Sequence, residues 1–232
     1  MIAGRIHAAM TGGRLPVLLS LGRHDIELAK AGVDAGVFGL KFHLNAYHRA
    51  SGNRFGSFEE ERPFIEQLAK LGKPMLVMSG QETQPTLEEL DALADYGVEG
   101  WNIYVKHVQP HMYRSKLRPI LALDSDSGEA ELKRIAAIPG AMLEASVTRF
   151  AEYGEAVNEA DLARYREIAM QSGLPMIAPS QKRFTAADVP ELRAAGIGAL
   201  LLGVIVTGLD PAGLDAAVRP IVAAAERATA GR

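Results

Sequence analysis

The sequence predicts an α/β fold of the (β/α)8-barrel (TIM-barrel) type, and three observations indicate it. Eight short apolar runs alternate with amphipathic segments, a glycine recurs near the end of most of those segments, and polar residues follow nearly every run. Such alternation is typical of a parallel sheet with helices packed outside it. A doubly wound open sheet would show the same pattern, but the count of eight strands favours the closed barrel.

The predicted strands are spread evenly along the chain. They cover residues 15–20, 37–43, 74–78, 100–106, 119–124, 141–146, 175–179 and 199–202. Residues 1–10 predict an extra N-terminal helix that covers the barrel floor. Because no linker interrupts the pattern, we expect a single domain over residues 1–232.

Capping residues mark several predicted helix starts. Thr86 and Asp126 each stand three residues before a glutamate, which is the spacing of a capping box. Asp210 precedes a proline, as an N-cap residue often does. These signals predict helices that begin directly after Thr86, Asp126 and Asp210.

Composition excludes several classes of function. The chain has 232 residues, 48% of them hydrophobic, and a net charge of −3, which gives no basic field for nucleic acid. It has no cysteine, so disulfides and thiolate metal sites are absent. No run approaches the ~20 apolar residues of a membrane-spanning helix. We therefore expect a cytoplasmic protein without a membrane or nucleic-acid partner.

The run LKFHLN, residues 40–45, alternates polar and apolar side chains. Apolar residues cover the helix side of a barrel strand, so Lys41, His43 and Asn45 are expected to point into the barrel mouth. Lysine is almost never fully buried unless it is paired. This pattern favours catalytic roles for Lys41 and His43 over a purely structural buried pair.

Three later strands add further catalytic candidates. In WNIYVK, residues 101–106, alternation places Asn102, Tyr104 and Lys106 inward, although Lys106 is equally expected as a solvated rim residue. Asp124 lies at the end of the fifth strand. It is a candidate general base, or it holds a lysine in place. Glu144 is the most interior carboxylate of the predicted barrel. It is expected either to form an ion pair with a lysine or to donate and accept a proton in catalysis.

The last two strand–helix units predict a phosphate site. Ser180, Gln181 and Lys182 follow the seventh strand, and Gly203 and Val204 follow the eighth. A glycine lets backbone N–H groups approach an anion, and the next helix adds its positive N-terminus. Barrels of this type often hold a phosphate at these two strands.

The segment after the second strand, residues 46–61, is long for a loop and rich in glycine, asparagine and arginine. We interpret it as a lid or specificity loop. Asn45, His48, Arg49 and Arg54 are its candidate substrate contacts.

At these residues the chain resembles the phosphate-binding (β/α)8 barrels of the ribulose-phosphate-binding type. The resemblance lies in IAPSQKRFTAADVPELRAAGIGALLLGVIVTG and extends upstream to EASVTRFAEYGEAVNEADLARYREI, which is similar to N-acetylmannosamine-6-phosphate 2-epimerase-like proteins. It departs from that pattern where SQKRF replaces glycines and where Val204 replaces a serine. The resemblance implies a phosphorylated small-molecule substrate and a homo-oligomer. No histidine–aspartate quartet of the metal-dependent epimerases is present, so neither a metal nor another cofactor is expected.

Three functional hypotheses remain open from the sequence. The first is a sugar-phosphate epimerase or isomerase in which Lys41 and Glu144 exchange a proton and His43 or Lys106 stabilises the oxyanion. The second is a class I aldolase or lyase with an inward lysine as Schiff-base nucleophile. The third is a barrel that binds a phosphorylated effector without turnover. Fold-level likeness alone does not decide among them.

Overall fold

The computed structural model of the protein describes residues 4–230, and within this range eight parallel strands close into a barrel. The strands are β1 (Val17–Ser20), β2 (Gly39–His43), β3 (Ala46–His48), β4 (Asn53–Phe55), β5 (Met75–Met78), β6 (Val98–Tyr104), β7 (Arg118–Leu123), β8 (Met142–Ala145), β9 (Met176–Pro179) and β10 (Ala199–Leu202). All except β3 and β4 form the barrel, in the order β1-β10-β9-β8-β7-β6-β5-β2. The predicted (β/α)8 fold is confirmed.

Helices connect the barrel strands and pack around them. They are α1 (Arg5–Thr11), α2 (Ile26–Asp34), α3 (Phe58–Ala69), α4 (Leu87–Leu93), α5 (Glu129–Ala136), α6 (Glu159–Ser172), α7 (Val189–Ala194), α8 (Val204–Thr207) and α9 (Pro211–Ala230). Short 3₁₀ turns extend several of the connections. Across residues 4–230, no helix is both long and apolar enough to cross a membrane.

The strands are buried on both faces, which explains their continuous apolar character. One cluster fills the barrel interior, with Leu18, Leu76 and Ile120 at its centre, and a larger cluster lies between barrel and helices. Ile6 and Met10 of α1 belong to the interior cluster. The predicted N-terminal helix therefore closes the barrel floor, and its first three residues, 1–3, lie outside the described residues.

A recurrent glycine ends most of the helical segments, and its backbone conformation gives the reason. Six glycines at these turns have φ between 62° and 95°, a left-handed region that other residues rarely adopt. They are Gly36, Gly72, Gly97, Gly140, Gly173 and Gly196. Each lets the chain reverse from a helix toward the following strand.

Two of the three predicted helix starts are confirmed. Thr86 and its glutamate form a capping box at α4, and Asp210 accepts a hydrogen bond from the Ala212 N–H at the start of α9. The prediction for Asp126 is wrong, because Gly128 is the N-cap of α5. Instead, the Asp124 Oδ1 accepts a hydrogen bond from the Asp126 N–H at 3.1 Å, which forms a turn. That turn delays the helix by two residues.

The segment after β2 contains a feature that the sequence did not reveal. Strands β3 and β4 form an antiparallel hairpin with Ala46 opposite Phe55. The hairpin stands above the carboxyl ends of the barrel strands, where its residues 46–50 line the cavity described below.

Candidate active site at the barrel mouth

A cavity of about 530 Å³ opens at the carboxyl ends of the barrel strands. Every barrel strand contributes to its lining: Ser20, Lys41, Met78, Asn102, Ala122, Glu144, Pro179 and Leu201. Barrels of this type carry their functional groups at this end, so the cavity is the candidate site. Among residues 4–230, no cluster of three or more histidine, cysteine or acidic side chains is arranged to hold a metal ion.

Lys41 and Glu144 meet at the bottom of the cavity. The Lys41 Nζ lies 2.7 Å from the Glu144 Oε2, and the two side chains are only 5% and 7% exposed. Their strands, β2 and β8, are separated by three strands in either direction round the barrel, so the pair spans the barrel axis. The Ser146 hydroxyl donates to the other Glu144 oxygen at 3.1 Å. Alternation thus predicted the inward direction of both residues correctly.

Two inward residues of β6 flank this pair. The Asn102 side chain donates to the Ile120 carbonyl at 3.0 Å and is held in place. Tyr104 lies beside Ser146, and burial, together with the neighbouring Tyr153 and Glu144, raises the pKa of its phenol. Tyr104 therefore remains protonated at neutral pH and contributes a hydroxyl to the cavity wall.

A group of imidazoles borders the cavity on the β2 side. His43 stacks on Phe55 and contacts His48, with ring centroids 4.8 Å apart in each case. Burial lowers the pKa of His43 well below its ordinary value, and His48 and Lys41 lower it further. The same two causes, burial and Lys41, lower the pKa of His48 to about 4. Both rings are therefore neutral at physiological pH.

His24 contacts this group without lining the cavity, and no pattern in the sequence indicated it. Its Nδ1 lies 2.5 Å from the Glu61 carboxylate, and its Nε2 accepts the His43 backbone N–H at 3.4 Å. Its ring stacks on Phe64. Because its partners lie on β2 and α3, distant in sequence, only the folded chain brings them together.

Lys106 does not reach the cavity centre. Strand β6 ends at Tyr104, so Lys106 lies in a 3₁₀ turn where the alternation of a strand no longer applies. Its side chain is 60% exposed at the rim and pairs with Asp124 at 2.9 Å. That hydrogen bond is the main cause that lowers the Asp124 pKa. Of the two positions expected for Lys106, the structure shows the rim of the cavity, where Asp124 holds this lysine.

The candidate contacts of the hairpin segment divide into two pairs. His48 and Arg49 line the cavity, and the Arg49 guanidinium covers the Phe150 ring at 4.7 Å. Asn45 adopts a left-handed conformation, φ 48°, just after β2, and is not among the cavity-lining residues. Arg54 is exposed, covers the Tyr47 ring and is also not among the cavity-lining residues. The placement of Asn45 and Arg54 in the mouth is therefore corrected.

The residues predicted to bind phosphate lie in two different environments. The Ser180 hydroxyl oxygen accepts the Gly203 N–H at 2.8 Å, so that N–H is not free for an anion. Val204 and Ile205, the first residues of α8, line the cavity, and their N–H groups have no acceptor within a helix. The Ser180 hydroxyl proton is uncommitted and faces the same space.

Gln181 and Lys182 bind the protein itself. The Gln181 amide joins Thr148 and Tyr153. The Lys182 side chain is 1% exposed and lies outside the cavity, 3.0 Å from Glu155 and 3.3 Å from Glu152, with Asp161 at 3.8 Å. Three carboxylates draw it away from the mouth, so its expected role as a phosphate ligand is wrong.

Comparisons with known proteins support the fold. No protein-family model matches the chain, and no curated protein matches its sequence. Among solved structures, Mycobacterium tuberculosis tryptophan synthase is similar with a TM-score of 0.73 at 15% identity, over 97% of this chain and 99% of that one. Thiamine phosphate pyrophosphorylase from Pyrococcus furiosus is similar with a TM-score of 0.64 at 10% identity, over 94% of this chain and 98% of that one. Phosphoribosyl anthranilate isomerase from Thermus thermophilus is similar with a TM-score of 0.61 at 16% identity, over 92% of this chain and 99% of that one.

These likenesses show that the protein has the (β/α)8-barrel fold. At such low identities they establish the fold and leave the reaction to the residues of the cavity.

Proposed function

We propose that the protein is an enzyme that binds a small phosphorylated metabolite, such as a sugar phosphate, and moves a proton at a carbon next to a carbonyl. The observation that carries this proposal is the buried ion pair of Lys41 and Glu144 on the barrel axis. A carboxylate in that position is a general base, and an ammonium group beside it stabilises negative charge on an oxygen. Epimerisation and isomerisation both need these two functions.

Neutral imidazoles complement the ion pair. His43 and His48 stay uncharged because of burial and the nearby Lys41. They therefore leave Lys41 as the charged group at the cavity floor, and they offer hydrogen bonds without competing for Glu144. The Nδ1 of His43 is buried and has no hydrogen-bond partner in the described chain.

A phosphate subsite at β9 and β10 is the second part of the proposal. Ser180, Val204 and Ile205 all line the cavity, and the Ser180 hydroxyl together with the first N–H groups of α8 would supply the donors. Backbone and hydroxyl donors of this kind bind phosphate oxygens. Two of the similar proteins carry a phosphate-bearing compound in their names, thiamine phosphate and phosphoribosyl anthranilate. For this chain, the phosphate remains part of the proposal.

The Schiff-base alternative is less well supported by the geometry. A nucleophilic amine must lose its proton, and a carboxylate 2.7 Å from the Lys41 Nζ stabilises the ammonium instead. Lys106 is equally paired, with Asp124. Sodium borohydride treatment in the presence of a ketose phosphate is therefore expected to leave both lysines unmodified by mass spectrometry, and a covalent adduct on either would favour an aldolase.

The test of the proposed reaction is solvent exchange. The protein is incubated in deuterium oxide with a panel of aldose and ketose phosphates, and proton NMR follows the C–H next to each carbonyl. We expect exchange with at least one compound, slowed about a hundredfold or more in Glu144→Gln. Glu99→Gln is the matched control, because Glu99 is a buried barrel glutamate that binds Arg5 and Ile6 at the floor. Compounds that bind without exchange would instead indicate a non-catalytic barrel.

A further inference from the structure

The orientation of one side-chain amide determines the direction of a hydrogen bond at the cavity. The Thr148 backbone N–H donates to the Gln181 Oε1 at 3.1 Å. A backbone N–H can only donate, so the oxygen of this amide must face Thr148. The Gln181 Nε2 therefore faces Tyr153 and donates to its phenolic oxygen at 2.6 Å.

Tyr153 consequently has a hydroxyl proton that Gln181 does not use. The amide nitrogen supplies a donor and no acceptor, so the phenol must direct its own proton elsewhere. Within residues 4–230, the structure gives that proton no protein acceptor. Tyr153 lines the cavity, and the proton is available to a bound molecule.

The charges around Tyr153 keep this proton in place. Burial is the main cause that raises the pKa of the phenol, and Glu144 raises it further, while the Gln181 hydrogen bond and Arg49 act in the opposite direction. The net shift is upward, so Tyr153 is a phenol at neutral pH. Tyr153 and Glu144 both line the cavity.

The loop that carries Tyr153 is fixed at several points. The Gly154 N–H donates to the Gln181 carbonyl at 2.9 Å, and the Arg183 N–H donates to the Glu155 carbonyl at 2.8 Å. Lys182 binds the Glu155 carboxylate at 3.0 Å. The tyrosine ring packs against Phe150. A donor held this firmly pays little ordering entropy when a ligand arrives.

We propose that Tyr153 is a catalytic residue, whose hydroxyl donates a hydrogen bond to the substrate oxygen on which negative charge develops, and that Gln181 is the positioning residue that aims it. This assignment rests on the proposed function. Glu144 takes the proton from carbon, the C–H electron pair forms the new C=C bond, and the carbonyl π pair moves to the oxygen held by Tyr153 and the Lys41 ammonium. Return of the proton to carbon reverses each step, so no oxidant or reductant is required.

The alternative is that Tyr153 and Gln181 only fasten the loop, and one variant separates the two roles. In Gln181→Glu the carboxylate still accepts the Thr148 N–H, but its second oxygen accepts the Tyr153 proton instead of donating to the phenol. The loop stays fastened while the proton is turned away from the cavity. A fastening role predicts little change in turnover.

The experiment compares Tyr153→Phe, Gln181→Glu and the double variant in the deuterium-exchange assay with the same aldose and ketose phosphates. We expect each single variant to lower kcat about a hundredfold with little change in KM, as for the loss of one oxyanion donor. The double variant should lose no more than either single one, because both remove the same hydrogen bond. Tyr113→Phe is the matched control, since Tyr113 packs on Trp101 outside the cavity.

A substrate-free measurement accompanies the assay. The Raman doublet of tyrosine reports whether a phenol donates or accepts, and the difference between wild type and Tyr153→Phe isolates Tyr153. We expect wild type to show a phenol that accepts a hydrogen bond while it donates one to solvent, and Gln181→Glu to show a phenol that only donates. A donor-only signature in wild type, or wild-type kcat in Tyr153→Phe, would overturn the assignment. Absence of exchange in wild type and Tyr113→Phe alike, with the acceptor signature intact, would instead overturn the proposed function, and the catalytic role of Tyr153 with it.

Discussion

Lys41 and Glu144 form an ion pair, with their charged atoms 2.7 Å apart, between strands that stand on opposite sides of the barrel. Neither side chain is more than 7% exposed. Burial of two charges costs free energy that their attraction and further hydrogen bonds must offset. Ser146 supplies one such bond to Glu144. A pair of this kind is weak evidence for stability and stronger evidence for a chemical role.

The first prediction concerns the stability of this pair. Lys41→Met leaves the Glu144 carboxylate buried without its counter-ion, and we expect it to lower the free energy of unfolding by about 3–5 kcal/mol. The double variant Lys41→Met/Glu144→Leu removes both charges and should recover much of that loss. Urea unfolding of the four proteins of the cycle measures both effects. Additive losses from the two single variants would contradict the prediction.

Strand positions were predictable because a barrel strand imposes strict physical constraints. Each strand is buried on both faces, so it reads as an apolar run, and the pleat alternates its side chains between interior and helices. A charged residue in the carboxyl-terminal half of such a run is therefore expected to face the cavity end of the interior. Lys41 and Glu144 satisfy this rule and lie where alternation places them.

Loop residues were not predictable by the same rule. Alternation fails beyond the last strand residue, so it misplaced Asn45 and could not decide between the two positions expected for Lys106. Lys182 is drawn away from the mouth by carboxylates more than twenty residues earlier in the chain. Tyr153 gains its role from an amide on another loop. These partners are set by the tertiary fold, and no local period in the sequence encodes them.

The second prediction concerns pH. Burial and Lys41 hold the pKa of folded His48 at about 4, whereas its ordinary value is 6.5. Between these two pH values, His48 is protonated in the unfolded chain and neutral in the folded protein. The contribution of neutral His48 to the free energy of unfolding is complete above about pH 6.5. It is lost as the pH falls from there toward about 4.

We expect the unfolding free energy of wild type to fall over this interval more steeply than that of His48→Gln, by up to about 3 kcal/mol. Urea unfolding at several pH values measures the difference, and NMR titration of the imidazole gives the folded pKa directly. Parallel curves for the two proteins, or titration of His48 near 6.5, would contradict the prediction.

The third prediction tests the phosphate subsite at a single backbone group. Val204 is the first residue of α8, a position where proline fits a helix, and Gly203 before it is extended. Val204→Pro therefore removes one N–H while the helix is retained. We expect the Kd for inorganic phosphate, measured by calorimetry, to rise about tenfold. Val204→Ala keeps the N–H and should bind nearly as wild type does. Equal weakening by both variants would show that the N–H is not a ligand.

The fourth prediction concerns Lys182, whose ammonium lies among Glu152, Glu155 and Asp161. Lys182→Met leaves three carboxylates close together without a cation. Because Glu152 and Glu155 are 40% and 58% exposed, we expect a moderate loss in the free energy of unfolding, about 1–3 kcal/mol, with faster proteolysis of the segment 150–158. Acid should reduce this loss, since protonation of the carboxylates removes their repulsion.

Lys133→Met is the matched control for this variant, because Lys133 is an exposed lysine paired with Glu129 within one helix. Such an exposed surface pair contributes little to stability. The two variants are compared by urea unfolding at neutral pH and near pH 4, and by limited proteolysis. If Lys182→Met is as stable as Lys133→Met at neutral pH, the lysine does not hold the loop. The support that places Tyr153 over the cavity must then come from Gln181 and the backbone hydrogen bonds alone.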